Sequence, residues 1–162
     1  MAVDMFLLMK EAAGESKDKQ FKDAIEVVAC QWNVSQASTA SSGGGAGAGK
    51  PDIAPLLIHK YLDKSSALLA QFCCAGKHLP EAKLVLRKAG GDEQLVYLTY
   101  TLTSVFVKSY SISGSPGDER PTEAIALDFA KYVMCYQPQN DKGGKEGGEV
   151  CAGWDQKTNE KA

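Results

Sequence analysis

The sequence predicts a mainly β protein with a single α-helix, and three observations predict it. Apolar and polar residues alternate at period two through 28–35 and again through 96–103, the signature of a pleated strand with one buried face. From Asp63 to Gly76 the apolar residues Leu68, Leu69, Phe72 and Cys73 recur at helical spacing instead. Turn-forming residues separate the alternating stretches, among them Gly90-Gly91-Asp92.

The elements follow in chain order. Val3 to Met9 is rich in strand formers. Ile25 and Val27 share one parity, whereas Val28, Cys30, Trp32 and Val34 share the other. One inserted residue moves every later side chain to the opposite face, so a bulge or sharp bend belongs between Val27 and Val28. Short strands are expected over Leu56 to Leu62 and Ala82 to Lys88. The helix spans about 64–75, with Asp63 or Ser65 to cap its start and Gly76 to end it. A second parity change separates Val96, Leu98, Tyr100 and Leu102 from Val105 and Val107; β-branched and aromatic residues dominate both halves. In Ala124 to Tyr136 both parities are apolar: Ile125, Leu127 and Phe129 on one, Tyr132, Met134 and Tyr136 on the other. Such a strand is either central under a second layer or has an outer face that meets another chain.

A chain of 162 residues suits one domain and buries a core without disulfides or metal. Net charge is −2, with Lys and Arg scattered, which offers nucleic acid no basic stripe. The five cysteines are odd in number and irregularly spaced, which reads as free thiols in a reducing compartment rather than a disulfide framework. No apolar run is long enough to span a membrane. Met5 to Met9 is too short for the apolar region of a signal peptide, and Asp4 precedes it. The expectation is a protein made in the cytoplasm that, if it leaves the cell, does so without such a signal.

Catalytic motifs are incomplete. Gly44 to Lys50 fits the start of a phosphate-binding loop, but Pro51 stands where a Mg²⁺-binding hydroxyl is needed. Cys73, Cys74 and His78 do not make a zinc site, because adjacent helical cysteines diverge. Ser113-Gly114-Ser115-Pro116-Gly117 lacks the nucleophile-elbow pattern. Asp118, Glu119, Arg120 and Glu123 read as a solvated turn or an intersubunit ion-pair site. No catalytic, cofactor or metal site is expected. Ala37 to Gly49 holds only Ser, Thr, Ala and Gly, too little apolar surface to order itself. It is a flexible loop or one that orders against a neighbouring subunit.

Several blocks carry a resemblance. They are Met1-Ala2-Val3-Asp4-Met5-Phe6, Ile25-Glu26-Val27 with Trp32, Lys60-Tyr61-Leu62-Asp63-Lys64-Ser65-Ser66, Gly76-Lys77-His78, Arg87-Lys88-Ala89-Gly90-Gly91, Tyr136-Gln137-Pro138-Gln139 and Gly153-Trp154-Asp155. In order and spacing the chain resembles Hcp, the haemolysin-coregulated protein family of type VI secretion systems, over essentially its full length. The resemblance implies one Hcp-like domain over 1–162: a partly open β-barrel of two antiparallel sheets with one flanking α-helix. It also implies hexameric rings that stack into the inner tube and carry effectors in the channel. Expected partners are other copies of itself, the spike tip protein, the contractile sheath and effector proteins, with no nucleic acid and no membrane insertion. The expected location is cytoplasmic when assembled, then secreted by the system itself. Ser41, Ser42, Gly43, Gly44, Gly45, Gly47, Gly49 and Lys50 are the candidate ring-stacking loop. Phe129, Tyr132, Met134 and Tyr136 are the candidate subunit interface. Cys30 stands where the family often has Trp, Phe21 where His is common, and Asn33 where Gly is usual. These departures motivate the alternative, a diverged or engineered ring that carries cargo without forming tubes.

Overall fold

The computed structural model describes residues 2–38, 47, 49–88 and 94–162. The strands are β1 (Val3–Leu8), β2 (Ile25–Val27), β3 (Ala29–Gln31), β4 (Val34–Ser35), β5 (Asp52–Ile53), β6 (Leu56–Tyr61), β7 (Leu79–Lys88), β8 (Val96–Ser113), β9 (Thr122–Tyr136), β10 (Val150–Asp155) and β11 (Glu160–Lys161). The helix, α1 (Ser66–Ala75), lies between β6 and β7. They form two antiparallel sheets. The larger runs β11-β10-β9-β8-β7-β1-β2, with β6 joined to β9 and β3 joined to β6; β4 and β5 pair separately. The Gly90-Gly91-Asp92 turn lies outside the described residues.

The larger sheet curls round one core, as the partly open barrel requires. Two of its end strands, β2 and β3, are joined by the chain at Val28 rather than by a ladder. Val28 donates its N–H to the His59 carbonyl at 2.7 Å, so the strand leaves β1 and takes up β6 within a single residue. The bend expected between Val27 and Val28 is there. The phase after it is only partly as expected: Cys30 and Trp32 pack against the core, but Val28 and Val34 are 47% and 45% exposed. Val28 is the pivot itself, and Val34 belongs to the separate hairpin.

A second parity change crosses three strands. Leu102 and Val105 are both buried on β8, Leu79 and Ala82 on β7, and Phe129 on β9 with Tyr132 packed beside it. Pairing runs straight through, with Leu79 opposite Val105 and Val105 opposite Phe129. Pro80, Ser104 and Ala130 therefore fall in one line, and each strand steps there by one residue. Ser104 takes φ +54°, the left-handed conformation that turns a strand's faces over. This resolves the two apolar parities of Ala124 to Tyr136. As far as Tyr132 no second covering layer is needed, because both Ile125-Leu127-Phe129 and Tyr132 face the same interior, whereas Tyr136 stays exposed.

α1 packs Leu69 and Phe72 onto that interior. It begins at Ser66, with Ser65 at the cap position but no side-chain cap bond. It ends at Gly76, whose φ of +58° suits a left-handed stop, and the Lys77 N–H returns to the Phe72 carbonyl at 3.1 Å.

Cys135 and Cys151 are opposite in the β9–β10 register and form a disulfide, while Cys30, Cys73 and Cys74 are free. The expectation of free thiols throughout is thus corrected. Pairing depends on cross-strand register, which spacing along the chain does not reveal. Gly153 is required where β10 crosses β9, since a Cβ there would sit 2.1 Å from the Tyr132 carbonyl oxygen.

Candidate functional site

The described surfaces are built on two buried ionic clusters and one open sheet edge. The first cluster ties α1 to the barrel. Lys60 and Glu123 are each 0% exposed and form an ion pair. Lys60 Nζ also donates to Ser66 Oγ at 3.1 Å and the Tyr61 carbonyl at 3.0 Å, and meets Asp63 Oδ1 at 2.9 Å. Ser66 donates to Glu123 at 2.9 Å, and Tyr110 donates its hydroxyl to the other oxygen of the same carboxylate. Burial first, and then this bond to Glu123, push the Tyr110 hydroxyl up to about 12. The solvated turn expected for Asp118 to Glu123 is therefore corrected at Glu123. Its neighbour Arg120 does remain at the surface, stacked over Tyr61 at 4.7 Å.

The second cluster holds the segment between β1 and β2 over the outside of β1 and β7. Arg87, 1% exposed, donates to Asp18 at 2.6 and 3.1 Å and to Asp4 at 2.8 Å. The Phe6 and Phe21 rings stack with centroids 4.7 Å apart, and the guanidinium lies 5.2 and 5.3 Å from them. The Arg87 hydrogen bond holds the Asp18 carboxyl down at about 2, below the usual 3.8. Phe21 thus supplies a stacking face for Phe6 and for the Arg87 guanidinium. Cys30 lies with its sulfur 3.9 Å from that of Met5, and burial pushes its thiol up.

The open edge is β10. β11 pairs only with Trp154 and Asp155, so among the described residues Val150 to Ala152 have no ladder partner on their outer side. Val150 is 64% exposed and sits opposite Tyr136, 46% exposed. Unpaired edges with apolar side chains are where another chain adds most readily. The candidate interface residues are divided by depth. Phe129 is buried in the chain's own core, Tyr132 packs edge-on against Trp32, Met134 is half-buried opposite Ala152, and Tyr136 is exposed opposite Val150.

The candidate stacking loop falls in the chain between β4 and β5. Ser41, Ser42, Gly43, Gly44 and Gly45 fall outside the described residues. Gly49 returns alongside the outgoing arm: its N–H reaches the Ala37 carbonyl at 3.4 Å and its carbonyl accepts from the Gln36 amide at 2.7 Å. Lys50 is exposed beside it. Between this hairpin and the β9–β10 wall lies an open cleft of about 420 Å³, lined by Val34, Pro51, Ile53, Tyr132 and Trp154 among others.

Residues 6–136 match the family described as "Type VI secretion system effector, Hcp". The chain belongs to the Hcp family. It is 47% identical to Protein hcp1 of Pseudomonas aeruginosa, with all 162 residues aligned and both chains covered completely. Among solved structures, the fold is similar to "Structure of a type six secretion system protein" with a TM-score of 0.93 at 32% identity, over 99% of this chain and 100% of that one. It is also similar to Hcp1 from Salmonella typhimurium, with a TM-score of 0.82 at 37% identity over the whole of both chains. The Hcp fold is thus shared along the full length. The sequence blocks that carried the resemblance include both ends of the Lys60 cluster's short loop and Arg87 of the second cluster. What sequence reasoning missed was Glu123, which lies 63 positions from Lys60 and stands in a stretch of charged residues.

Proposed function

We propose that this chain works as a hexameric ring whose copies stack into a tube, the specific form of the role its family carries. The role itself, a type VI secretion tube and effector-carrying protein, goes with membership of the Hcp family. The observation that carries the proposal is the full-length match at 47% identity. The unpaired β10 edge beside Tyr136 supports it, because ring closure covers exposed strand edges with identical surfaces from the next copy. All 162 residues act as one Hcp-like barrel domain in this reading. Met134 and Tyr136 touch the neighbouring subunit, while Phe129 and Tyr132 support them from the core side. The loop ending in Gly47, Gly49 and Lys50 contacts the next ring.

The finer partners follow from the same reading: the spike tip protein at the end of the tube, the sheath outside it and effectors within. The chain acts without catalysis of its own. It assembles in the cytoplasm and leaves through the secretion machine rather than by a signal peptide. No helix among the described residues is long and apolar enough to cross a membrane.

The test is direct. The purified protein gives rings by electron microscopy and a mass near six times 17.3 kDa by light scattering. A single species near 17.3 kDa at micromolar concentration overturns the ring. Deleting residues 40–49 leaves rings and prevents stacking; unchanged tubes from the deletion variant remove the loop from that role.

A further inference from the structure

We propose that Cys135 and Cys151 form a thiol–disulfide exchange site that clips the C-terminal edge hairpin to the barrel and opens to small dithiols while the protein stays folded. Two observations support it, and a third sets its rate.

The first is placement. The two cysteines face each other in the antiparallel register with Cα atoms 4.1 Å apart. They join a central strand of the larger sheet, β9, to its outermost long strand, β10. Beyond β10 lies only the two-residue β11, so the bond secures the part of the sheet with the fewest neighbours. The segment between the two cysteines carries Gly143, Gly144, Gly147 and Gly148, and its ladder contribution is one isolated bridge, Gln139 to Lys145. Local opening is drawn from such sparsely held regions.

The second is access. Cys151 is exposed and Cys135 half-buried, so an incoming thiolate reaches the Cys151 sulfur without global unfolding. The free cysteines Cys30, Cys73 and Cys74 lie on other elements, β3 and α1, so no internal thiol next to the bond competes as the resolving partner.

The third is charge. The Glu149 carboxylate lies within 4.8 Å of both sulfurs and is itself exposed. A negative charge at that distance repels the attacking thiolate and disfavours the thiolate that leaves.

The chemistry closes with a dithiol such as dithiothreitol as reductant. One of its thiolates attacks the Cys151 sulfur, the Cys135–Cys151 bond breaks, and its electron pair goes to the Cys135 sulfur, which takes up a proton. The second thiol of the reductant then attacks the mixed disulfide. Cys151 leaves as a thiolate and is protonated, and the reductant becomes a cyclic disulfide. Oxidised glutathione drives the reverse, taking the two hydrogens as two molecules of glutathione. The site is open in the free chain, whereas ring closure over the β10 edge covers Cys151, so the test is run on protein held below ring-forming concentration.

The full chain is the test object. Treated with dithiothreitol in native buffer and trapped with iodoacetamide, it gains label on Cys135 and Cys151. Amide exchange over 150–161 rises several-fold, while exchange over α1 (Ser66–Ala75) is unchanged. Oxidised glutathione restores the original mass and protection. Glu149→Gln speeds reduction about fourfold at low salt, the factor Coulomb's law gives for unit charges about 4.8 Å apart at water-like dielectric, and the gain shrinks in about 1 M salt. Reduction only in denaturant overturns the exchange site. Protection lost equally from α1 and β10 overturns the clip, because the bond then holds the whole fold. A Glu149→Gln rate equal to wild type at low salt removes the carboxylate from the mechanism.

Discussion

Replacing Lys60 with Met strips the charge from the cluster under α1 while keeping most of the aliphatic stem. In the native protein the Lys60 ammonium meets Asp63 at 2.9 Å, Ser66 at 3.1 Å and the Tyr61 carbonyl at 3.0 Å besides its ion pair with Glu123. In Lys60→Met the Glu123 carboxylate stays at 0% exposure, with Asp63 beside it and no cation between them. Removing one partner of a buried ion pair costs about 3–5 kcal/mol. Glu123 keeps two hydroxyl donors, Tyr110 and Ser66, which places the loss near the lower end, about 3 kcal/mol. For a domain of this length that lowers the melting temperature by about 6–12 °C. The assay is urea unfolding followed by tryptophan fluorescence at one fixed protein concentration, since assembly shifts apparent stability. The double variant Lys60→Met/Glu123→Gln recovers to within about 1 kcal/mol of wild type, because a neutral amide no longer needs the cation. A single variant within about 1 kcal/mol of wild type, or a double variant whose loss is the sum of the two single losses, refutes the reasoning.

Two further predictions concern pH. The folded value of Asp18 lies at about 2, below its ordinary 3.8. Its contribution to stability is therefore fully present above about pH 4 and lost as pH falls through about 2. Urea midpoints measured across that window fall for wild type and fall less for Asp18→Asn; equal slopes contradict the assignment to the Arg87 contact. Tyr110 is held neutral up to about 12, so the folded state retains a proton that the unfolded state gives up near pH 10, and stability declines between those values. Phenolate absorbance of the folded protein shows a late step from Tyr110, beyond the smaller upward shifts that burial gives Tyr97 and Tyr100, and Tyr110→Phe removes that latest step. A single transition near pH 10 for all of them contradicts it.

The barrel was legible in the sequence wherever one strand reported on itself. The change of phase between Val27 and Val28 marks a bend that is there, and the change between Leu102 and Val105 marks the step at Ser104. The helix was legible from Leu69 and Phe72 and from Gly76. The information that stayed hidden lies between strands. Ile125 and Tyr132 have opposite parities, yet both face inward because Pro80, Ser104 and Ala130 line up across three strands, and no single strand contains that alignment. Cys135 and Cys151 pair for the same reason: register, not spacing, brings them together. Glu123 and Lys60 look like ordinary surface charges until the β6–β9 ladder sets them opposite each other, where burial becomes tolerable only through mutual neutralisation. Of the candidate assembly residues, Tyr136 was visible as an apolar strand end, but its neighbour Val150 lies on a strand whose short, Gly-interrupted flank gave no alternation to read.

The stepped hairpin of β8 and β9 has a mechanical consequence. One ladder runs from Leu98–Tyr136 to Ser113–Thr122 without losing a strand at the step. Pulling the two strands apart along their length loads those cross-strand bonds together in shear, whereas peeling from one end would break them in succession. The step turns the sheet's faces over but leaves this shared resistance continuous. A push applied along the hairpin therefore crosses the Ser104 step through paired strands, and the ladder changes register only farther on, between Val107 and Ser109.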